Sequence, residues 1–165
     1  MGIFKNKFNK TPKVSKKSVR QVVTKTSVPR SVAISGDLKF PTAAVGEDYT
    51  KDAIRGLLAK HAMPKDLELG RLVIEGVVRP EPTNQYDPDA LIVLIDGVKV
   101  GYVSASRTSS FRHGVLRIME EKSGMRASIG SDWIAEFTMR IGWVPTEKYP
   151  QYGVTIDTPA GFYNP

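Results

Sequence analysis

The sequence contains no cysteine and only two histidines among its 165 residues. Without thiols the chain cannot form a disulfide framework, a thiolate metal site or a cysteine nucleophile. His61 and His113 fall on separate predicted helices and lack the spacing to acidic residues that metal binding requires. We therefore expect no metal site.

The motifs of common enzyme sites are missing as well. The sequence has no GxGxxG fingerprint and no Walker lysine motif, so it lacks a phosphate-binding loop. No serine lies in a nucleophile elbow. Asp87 and Asp89 are two residues apart on a predicted turn, which is typical of turn formers rather than of an acid/base pair. We predict a binding module with no catalytic residues and no cofactor.

Long apolar runs are also lacking. No run approaches the roughly 18 residues that a membrane-spanning helix requires. The N-terminal stretch MGIFKNKFNK has no signal-peptide core after it, and it lacks the Ser or Thr of a myristoylation pattern. We expect a cytoplasmic protein with no membrane partner.

Positive charge is concentrated at the N-terminus. Residues 1–40 contain ten Lys or Arg against one acid, whereas residues 41–165 contain fourteen basic and sixteen acidic side chains. Residues 1–30 show no apolar period and are predicted to form a flexible basic arm. Such an arm is typical of contact with nucleic acid, although a solubilising leader is the alternative. The candidate phosphate contacts in it are Lys13, Lys16, Lys17 and Arg20.

Hydrophobic periodicity predicts the elements of the body. The predicted elements are a hairpin or bent strand formed by Val32, Ile34, Leu38 and Phe40 around Gly36; a helix from Thr50 to Ala62 that Met63-Pro64 ends; a strand through Leu72, Ile74, Gly76 and Val78; a hairpin over 91–103 that turns at Asp96-Gly97 and has a bulge at Gly101; a helix over 104–124; a short strand over 125–129; and a long strand over 133–143.

The last of these strands has the clearest pattern, because apolar residues occupy every second position from Trp133 to Trp143. Beyond Pro145 the chain is rich in Pro, Gly and Tyr and is predicted to lack regular structure. About six strands with two inserted helices predict an α+β fold, a small barrel or half-barrel. The predicted domain spans 31–145, and 146–165 is a C-terminal extension.

The segment EPTNQYDPDAL, residues 81–91, separates two predicted strands. It contains five turn-forming residues, yet it is longer than a strand connection needs and carries a tyrosine in its middle. Two interpretations are open: an elaborate corner in which Asn84 and Asp87 cap their own backbone and Tyr86 packs over it, or a loop that holds a ligand.

This segment also carries a resemblance to a known family. VGEDY before a helix, then EPTNQYDPDAL, then VGYV on the next strand resemble the HIRAN domain. In that family V-G-x-x-x-Y-like and E-P-x-N-x-[YH]-D-x-x-A-[IL]-x-V segments bracket the binding face, and V-G-Y follows on the next strand. The similarity extends from Ala43 to Val144. The chain resembles the short stand-alone type found in bacteria and their phages.

The resemblance implies an OB-like or SH3-like β-barrel that recognises single-stranded DNA, in characterised members at a free 3′ end. By this likeness Tyr86 would stack on a base, Asp87 would accept a hydrogen bond from the terminal 3′-hydroxyl, and Asn84 would add a polar contact. The remaining aromatic positions of the expected interface are Tyr49, Tyr102 and Trp143.

A second function is open beside DNA binding. Asp48 stands where DNA-binding members of the family have an arginine that meets phosphate, and the body of the chain is nearly neutral. Both features favour a structural or assembly protein, for example a component of a phage particle, that keeps the fold without end binding. Its location would then be the virion, and its partners other protein subunits.

Overall fold

The structure, a computed structural model, describes residues 30–124, 132–145 and 147–164. The predicted basic arm up to residue 29 and the predicted strand over 125–129 lie outside these ranges. The described elements are the strands β1 (Arg30–Ile34), β2 (Thr42–Val45), β3 (Arg71–Pro80), β4 (Leu91–Ile95), β5 (Val98–Val103), β6 (Trp133–Trp143) and β7 (Tyr152–Ile156), the helices α1 (Lys51–His61), α2 (Pro64–Leu69) and α3 (Ala105–Ser123), and a 3₁₀ helix, Glu47–Tyr49.

Six of these strands close into an antiparallel barrel. Their order is β6-β3-β4-β5-β2-β7, and β7 pairs back with β6. β1 lies outside this ring and pairs in parallel with the first half of β6, from Trp133 to Phe137. The predicted small α+β barrel is therefore confirmed, and it is a closed barrel rather than a half-barrel.

The alternating face of β6 forms the centre of the core, as its period predicts. Trp133, Ala135, Phe137, Met139 and Ile141 are all buried. The ring of Phe137 lies 5.5 Å from that of Phe111 on α3 and 6.0 Å from that of Phe162 near the C-terminus. The buried face of α3 thus packs directly on the central strand.

The predicted β4–β5 hairpin is confirmed in its turn and in its bulge. Asp96 (φ 52°) and Gly97 (φ 75°) both have the positive φ that a two-residue turn of this kind needs. The register between the strands shifts where Val93 pairs with Gly101. A Cβ on Gly101 would lie 2.7 Å from the carbonyl oxygen of Val45, so a side chain there would push β2 away from β5.

The hairpin or bent strand predicted around Gly36 is right for Val32 and Ile34, which lie buried in β1. It is wrong for Leu38 and Phe40, which belong to no strand. The chain after β1 instead wraps around the buried carboxylate of Asp157, which accepts hydrogen bonds from the backbone N–H of Leu38 (2.9 Å) and of Phe40 (3.3 Å). Leu38 and Phe40 both take positive φ, and Leu38 is 67% exposed rather than buried. Hydrogen bonding to a distant side chain has replaced strand pairing.

The prediction that the chain lacks regular structure beyond Pro145 is also wrong. β7 pairs with β2 on one side and with β6 on the other, so a strand in the predicted C-terminal extension closes the barrel. Arg30, assigned to the arm, is the first residue of β1. Pro64 begins α2, which was not predicted, and Asp66 accepts a hydrogen bond from the backbone N–H of Met63 to cap it (2.9 Å).

The facing of β6 gives a stability prediction. Phe137→Ala should lower the free energy of unfolding by roughly 3–5 kcal/mol, because it opens a cavity between β6 and α3. Thr138→Ala removes only an exposed hydrogen bond to Glu75 (3.0 Å) and should cost less than about 1 kcal/mol. Denaturant unfolding of the two variants measures both values, and equal losses would contradict the assigned facing.

Candidate nucleic-acid interface

Residues 81–90, which we call the turn segment, connect the end of β3 to the start of β4 and are closed by their own backbone. The N–H of Glu81 donates to the carbonyl of Ala90 (2.9 Å), that of Asn84 to Glu81 (2.9 Å), and that of Ala90 to Asp87 (3.1 Å). Because β3 and β4 pair antiparallel up to Pro80 and Leu91, both ends of the segment are held in place by the sheet.

The side chain of Asn84 holds the turn segment from within. Its Oδ1 accepts hydrogen bonds from the backbone N–H of Tyr86 (3.0 Å) and of Asp87 (3.2 Å). Its Nδ2 donates to Oε2 of Glu81 (2.8 Å) and to the hydroxyl of Tyr102 (3.3 Å). The hydroxyl of Tyr102 in turn donates to the same Glu81 oxygen (2.9 Å). Asn84 therefore orients its neighbours, as the corner interpretation predicts.

Only one of the two carboxylate oxygens of Asp87 takes part in the hydrogen bonds of the turn. Its Oδ1 accepts the backbone N–H of Asp89 at 2.9 Å. No group in the described residues donates a hydrogen bond to its second carboxylate oxygen. Asp87 as a residue is half-buried, and a carboxylate oxygen that lacks a donor can accept a hydrogen bond from a ligand.

Two tyrosine side chains project almost fully into solvent. Tyr86 is 97% exposed and Tyr49, at the end of the 3₁₀ helix, is 95% exposed. Tyr86 therefore does not pack over the turn, and that part of the corner interpretation is wrong. Large aromatic side chains usually bury 150–250 Å², so exposure of both rings leaves their faces available to a partner.

Five of the predicted site residues line one groove of about 460 Å³, which we call the tyrosine groove. The 3₁₀ helix contributes Tyr49, the turn segment contributes Asn84, Tyr86 and Asp87, and β5 contributes Tyr102. The bulge residue Gly101 also lies in its lining, where close approach of β2 leaves no room for a side chain. Residues 53 positions apart in sequence are thus brought to one surface.

Trp143 does not line this groove. It ends β6 opposite Tyr152 of β7, and its side chain packs against the core. The four predicted arm contacts, Lys13, Lys16, Lys17 and Arg20, lie outside the described residues.

The charges of the groove nearly balance. Lys99 is its one cationic residue within the described part of the chain, and it lies 5.3 Å from the ring centroid of Tyr102. Asp87 is the corresponding acid. Asp48 is not part of the lining and forms an ion pair with Lys51 at 2.7 Å. Its negative charge is therefore countered locally.

Sequence reasoning missed two residues that shape the groove, Glu81 and Lys99. Glu81 accepts two hydrogen bonds that orient Asn84 and Tyr102, and it was visible only as a member of the E-P-x-N pattern. Lys99 follows a turn signal and has no pattern of its own.

The described residues contain neither a cluster of metal-ligating side chains nor a membrane-spanning helix. In 30–124, 132–145 and 147–164, no three His, Asp or Glu side chains lie close enough together to hold a metal ion. His61 instead contacts Asp96 at 2.6 Å, beside Lys60, at the tip of the β4–β5 hairpin. None of the helices in these ranges is both long and apolar enough to cross a bilayer.

Comparison with known proteins gave no relative from which a function could be transferred. The chain matches no protein-family model, no curated protein and no solved structure. The resemblance to the HIRAN domain stays a prediction.

Proposed function

We propose that this protein is a non-enzymatic module that binds single-stranded DNA in the tyrosine groove, with the basic N-terminal arm adding phosphate contacts. The observation that carries this proposal is the pair of nearly fully exposed tyrosines, Tyr49 and Tyr86, which two separate elements bring to one groove.

Stacking explains why such a groove favours single strands. A base stacked on an aromatic side chain contributes about 1–3 kcal/mol, largely independent of sequence. Bases in a duplex are already stacked on each other and cannot lie on protein rings without unpairing. The hydrogen bonds of the turn segment hold the backbone that carries Tyr86, so its ring provides such a platform without an ordering cost for the loop.

The second oxygen of Asp87 supports recognition of a strand end. A carboxylate accepts a hydrogen bond from a hydroxyl group but repels a phosphate. A free 3′-hydroxyl that reaches the groove would satisfy this oxygen, whereas a 3′-phosphate would meet an uncompensated negative charge. We therefore propose that a free 3′ end is the preferred ligand.

Because the charges of the groove nearly balance, the affinity should have two distinct contributions, one largely independent of salt and one dependent on it. Stacking and the hydroxyl contact involve no phosphate and should depend little on salt. Neutralisation of phosphates by Lys and Arg releases counterions and produces the salt dependence. Residues 1–30 carry nine Lys or Arg and no acid, so the arm is the natural source of that second contribution.

The direct test is binding of the full chain to single-stranded, duplex and 3′-phosphorylated oligonucleotides at two salt concentrations. We expect the unmodified single strand to bind most tightly. If wild-type protein binds no single strand at either concentration, the proposal fails and an assembly role becomes the better explanation.

Asp87 provides a prediction about end selectivity. Asp87→Ala should abolish the preference for 3′-hydroxyl over 3′-phosphate while overall affinity survives or rises. Asp87→Asn should reduce the same preference, and it keeps an oxygen that can accept the N–H of Asp89 and so hold the turn. Competition between the two oligonucleotides measures the ratio. A folded Asp87→Asn protein that discriminates as well as wild type would rule out the end-reading role.

Tyr86 provides a prediction about stacking. Tyr86→Ala should weaken single-strand binding by about 1–3 kcal/mol, because one platform is lost, and it should leave the melting temperature nearly unchanged. Tyr149→Ala is the matched control, since Tyr149 is also exposed (72%) but does not line the groove. Equal affinities of the two variants would show that Tyr86 does not contact the strand.

The arm provides a prediction about salt dependence. Replacing Lys13, Lys16, Lys17 and Arg20 with Gln should weaken binding to all sequences alike. The slope of log K against log salt should also become shallower, by about 0.7 for each single-strand phosphate that the variant no longer neutralises. Lys65→Gln, a charge removed from α2, is the control. An unchanged slope in the fourfold variant would exclude these side chains as phosphate ligands.

A further inference from the structure

A second cleft, of about 470 Å³, lies between the turn segment and α3, and we call it the helix cleft. Asp87 and Asp89 line it on one side, and Ser109, Arg112 and His113 line it on the other. Asp87 and Ala105 belong to the lining of both this cleft and the tyrosine groove. The two depressions are therefore adjacent and meet at Asp87.

The helix cleft is long enough for part of a strand. Its lining follows α3 from Ala105 to Leu116, about 16 Å at 1.5 Å per residue. A 3′-terminal nucleotide seated on the exposed tyrosines, with its hydroxyl at Asp87, leaves the 5′ side of the strand free to run along the surface of the helix.

Arg112 is the main charged group on the helix side of this cleft, and it is incompletely paired. Its guanidinium donates to the backbone carbonyl of Asp89 (3.1 Å), but the nearest carboxylate oxygen of Asp89 is 3.6 Å away. Its side chain is only 19% exposed, and its buried Nε has no hydrogen-bond partner. A guanidinium has five N–H donors, and because the buried Nε cannot reach a ligand, the capacity for an anion lies with Nη1, which makes no hydrogen bond within the described residues and only the 3.6 Å contact with Asp89.

We infer that the helix cleft receives the sugar–phosphate backbone of the bound strand next to Asp87, and that Arg112 is a phosphate ligand there. This inference rests on the proposed function and adds a phosphate contact within the barrel domain. Arginine suits the role because its planar fork matches phosphate geometry. The first turn of α3, at the junction of the two clefts, contains no acidic residue that would oppose an anion.

The two aspartates limit the site to about one phosphate. Asp87 and Asp89 place negative charge on the opposite wall, so only the α3 side of the cleft is favourable for an anion. Asp89 also competes with the phosphate for Arg112, since the two form a loose ion pair in the free protein. Removing the Asp89 charge should therefore strengthen phosphate binding, whereas removing the Arg112 charge should weaken it.

The first experiment compares Arg112→Gln with Lys65→Gln, a charge-matched control whose residue lines neither cleft. In full-length protein, Arg112→Gln should reduce the salt slope for single-strand binding by about 0.7, one phosphate, and Lys65→Gln should leave it unchanged. A series of oligonucleotides, each with one neutral methylphosphonate linkage at a different position, locates the phosphate that Arg112 binds. Wild type should lose about tenfold in affinity at one linkage, and Arg112→Gln should lose nothing further there.

The second experiment separates a phosphate ligand from a brace for the turn segment. If Arg112 only braces the turn segment through the backbone carbonyl of Asp89, Asp89→Asn keeps that hydrogen bond and should leave binding unchanged, while Arg112→Gln should weaken it. If Arg112 binds phosphate, Asp89→Asn should tighten binding and Arg112→Gln should weaken it. Melting temperatures within a few degrees of wild type confirm that both variants are folded.

The outcomes also distinguish this inference from the proposed function. Wild type that binds single strands, with the same methylphosphonate profile as Arg112→Gln, overturns the phosphate role and leaves the tyrosine groove intact. Absence of any single-strand binding by wild type overturns both.

Discussion

The two-sided pairing of β6 is the constraint on which the rest of this structure depends. Along its eleven residues β6 pairs with β3 on one edge, and on the other edge first with β1 and then with β7. The pairing with β7 closes the ring, and closure requires β2 to bridge β5 and β7. The Gly101 bulge, where β2 meets β5, therefore has a fixed position, and the tyrosine groove is built next to it.

The candidate site combines this rigid base with a segment that stabilises itself. β3 and β4 hold both ends of the turn segment, and Glu81, Asn84 and Tyr102 form a hydrogen-bonded brace within it. The polar groups of these three side chains hydrogen-bond one another and are therefore not available to a ligand. The rings of Tyr49 and Tyr86 and one oxygen of Asp87 are left over, and these are groups suited to a base face and a hydroxyl.

Local patterns predicted the elements that local forces determine. The alternation in β6, the period of α1 and the Asp96-Gly97 turn each required only neighbouring residues, and all three are confirmed. β2 has four residues and β7 has five, and unlike the equally short β4 neither adjoins a turn signal such as Asp96-Gly97; both are specified by partners far away in sequence. The wrap of the chain around Asp157 was not predicted for the same reason, because its hydrogen bonds join residues more than 115 positions apart.

The site was predictable to a similar extent. The turn segment could be recognised from its composition, and the family resemblance selected the residues that converge on the groove. The alternation of β6 shows which face Trp143 occupies, but not its neighbours, so its place away from the groove could not be derived. The loose pairing of Arg112 with Asp89 depends on how α3 docks against the turn segment. Neither the sequence of α3 nor that of the turn segment indicates this docking.

The position of β1 outside the closed ring has a consequence for self-association. The ring needs only the second half of β6 for closure, so without β1 the backbone from Trp133 to Phe137 would have one unpaired edge. Such an edge is a template for strands of other molecules. β1 covers it with just five residues, the first of which directly follows the charged arm. The free edge of the sheet is thereby moved outward to β1, where the carbonyl of Ala33 already accepts a hydrogen bond from Lys122 (2.6 Å). An edge strand this short, with a lysine hydrogen-bonded to it, is a poor template for pairing between copies of the barrel.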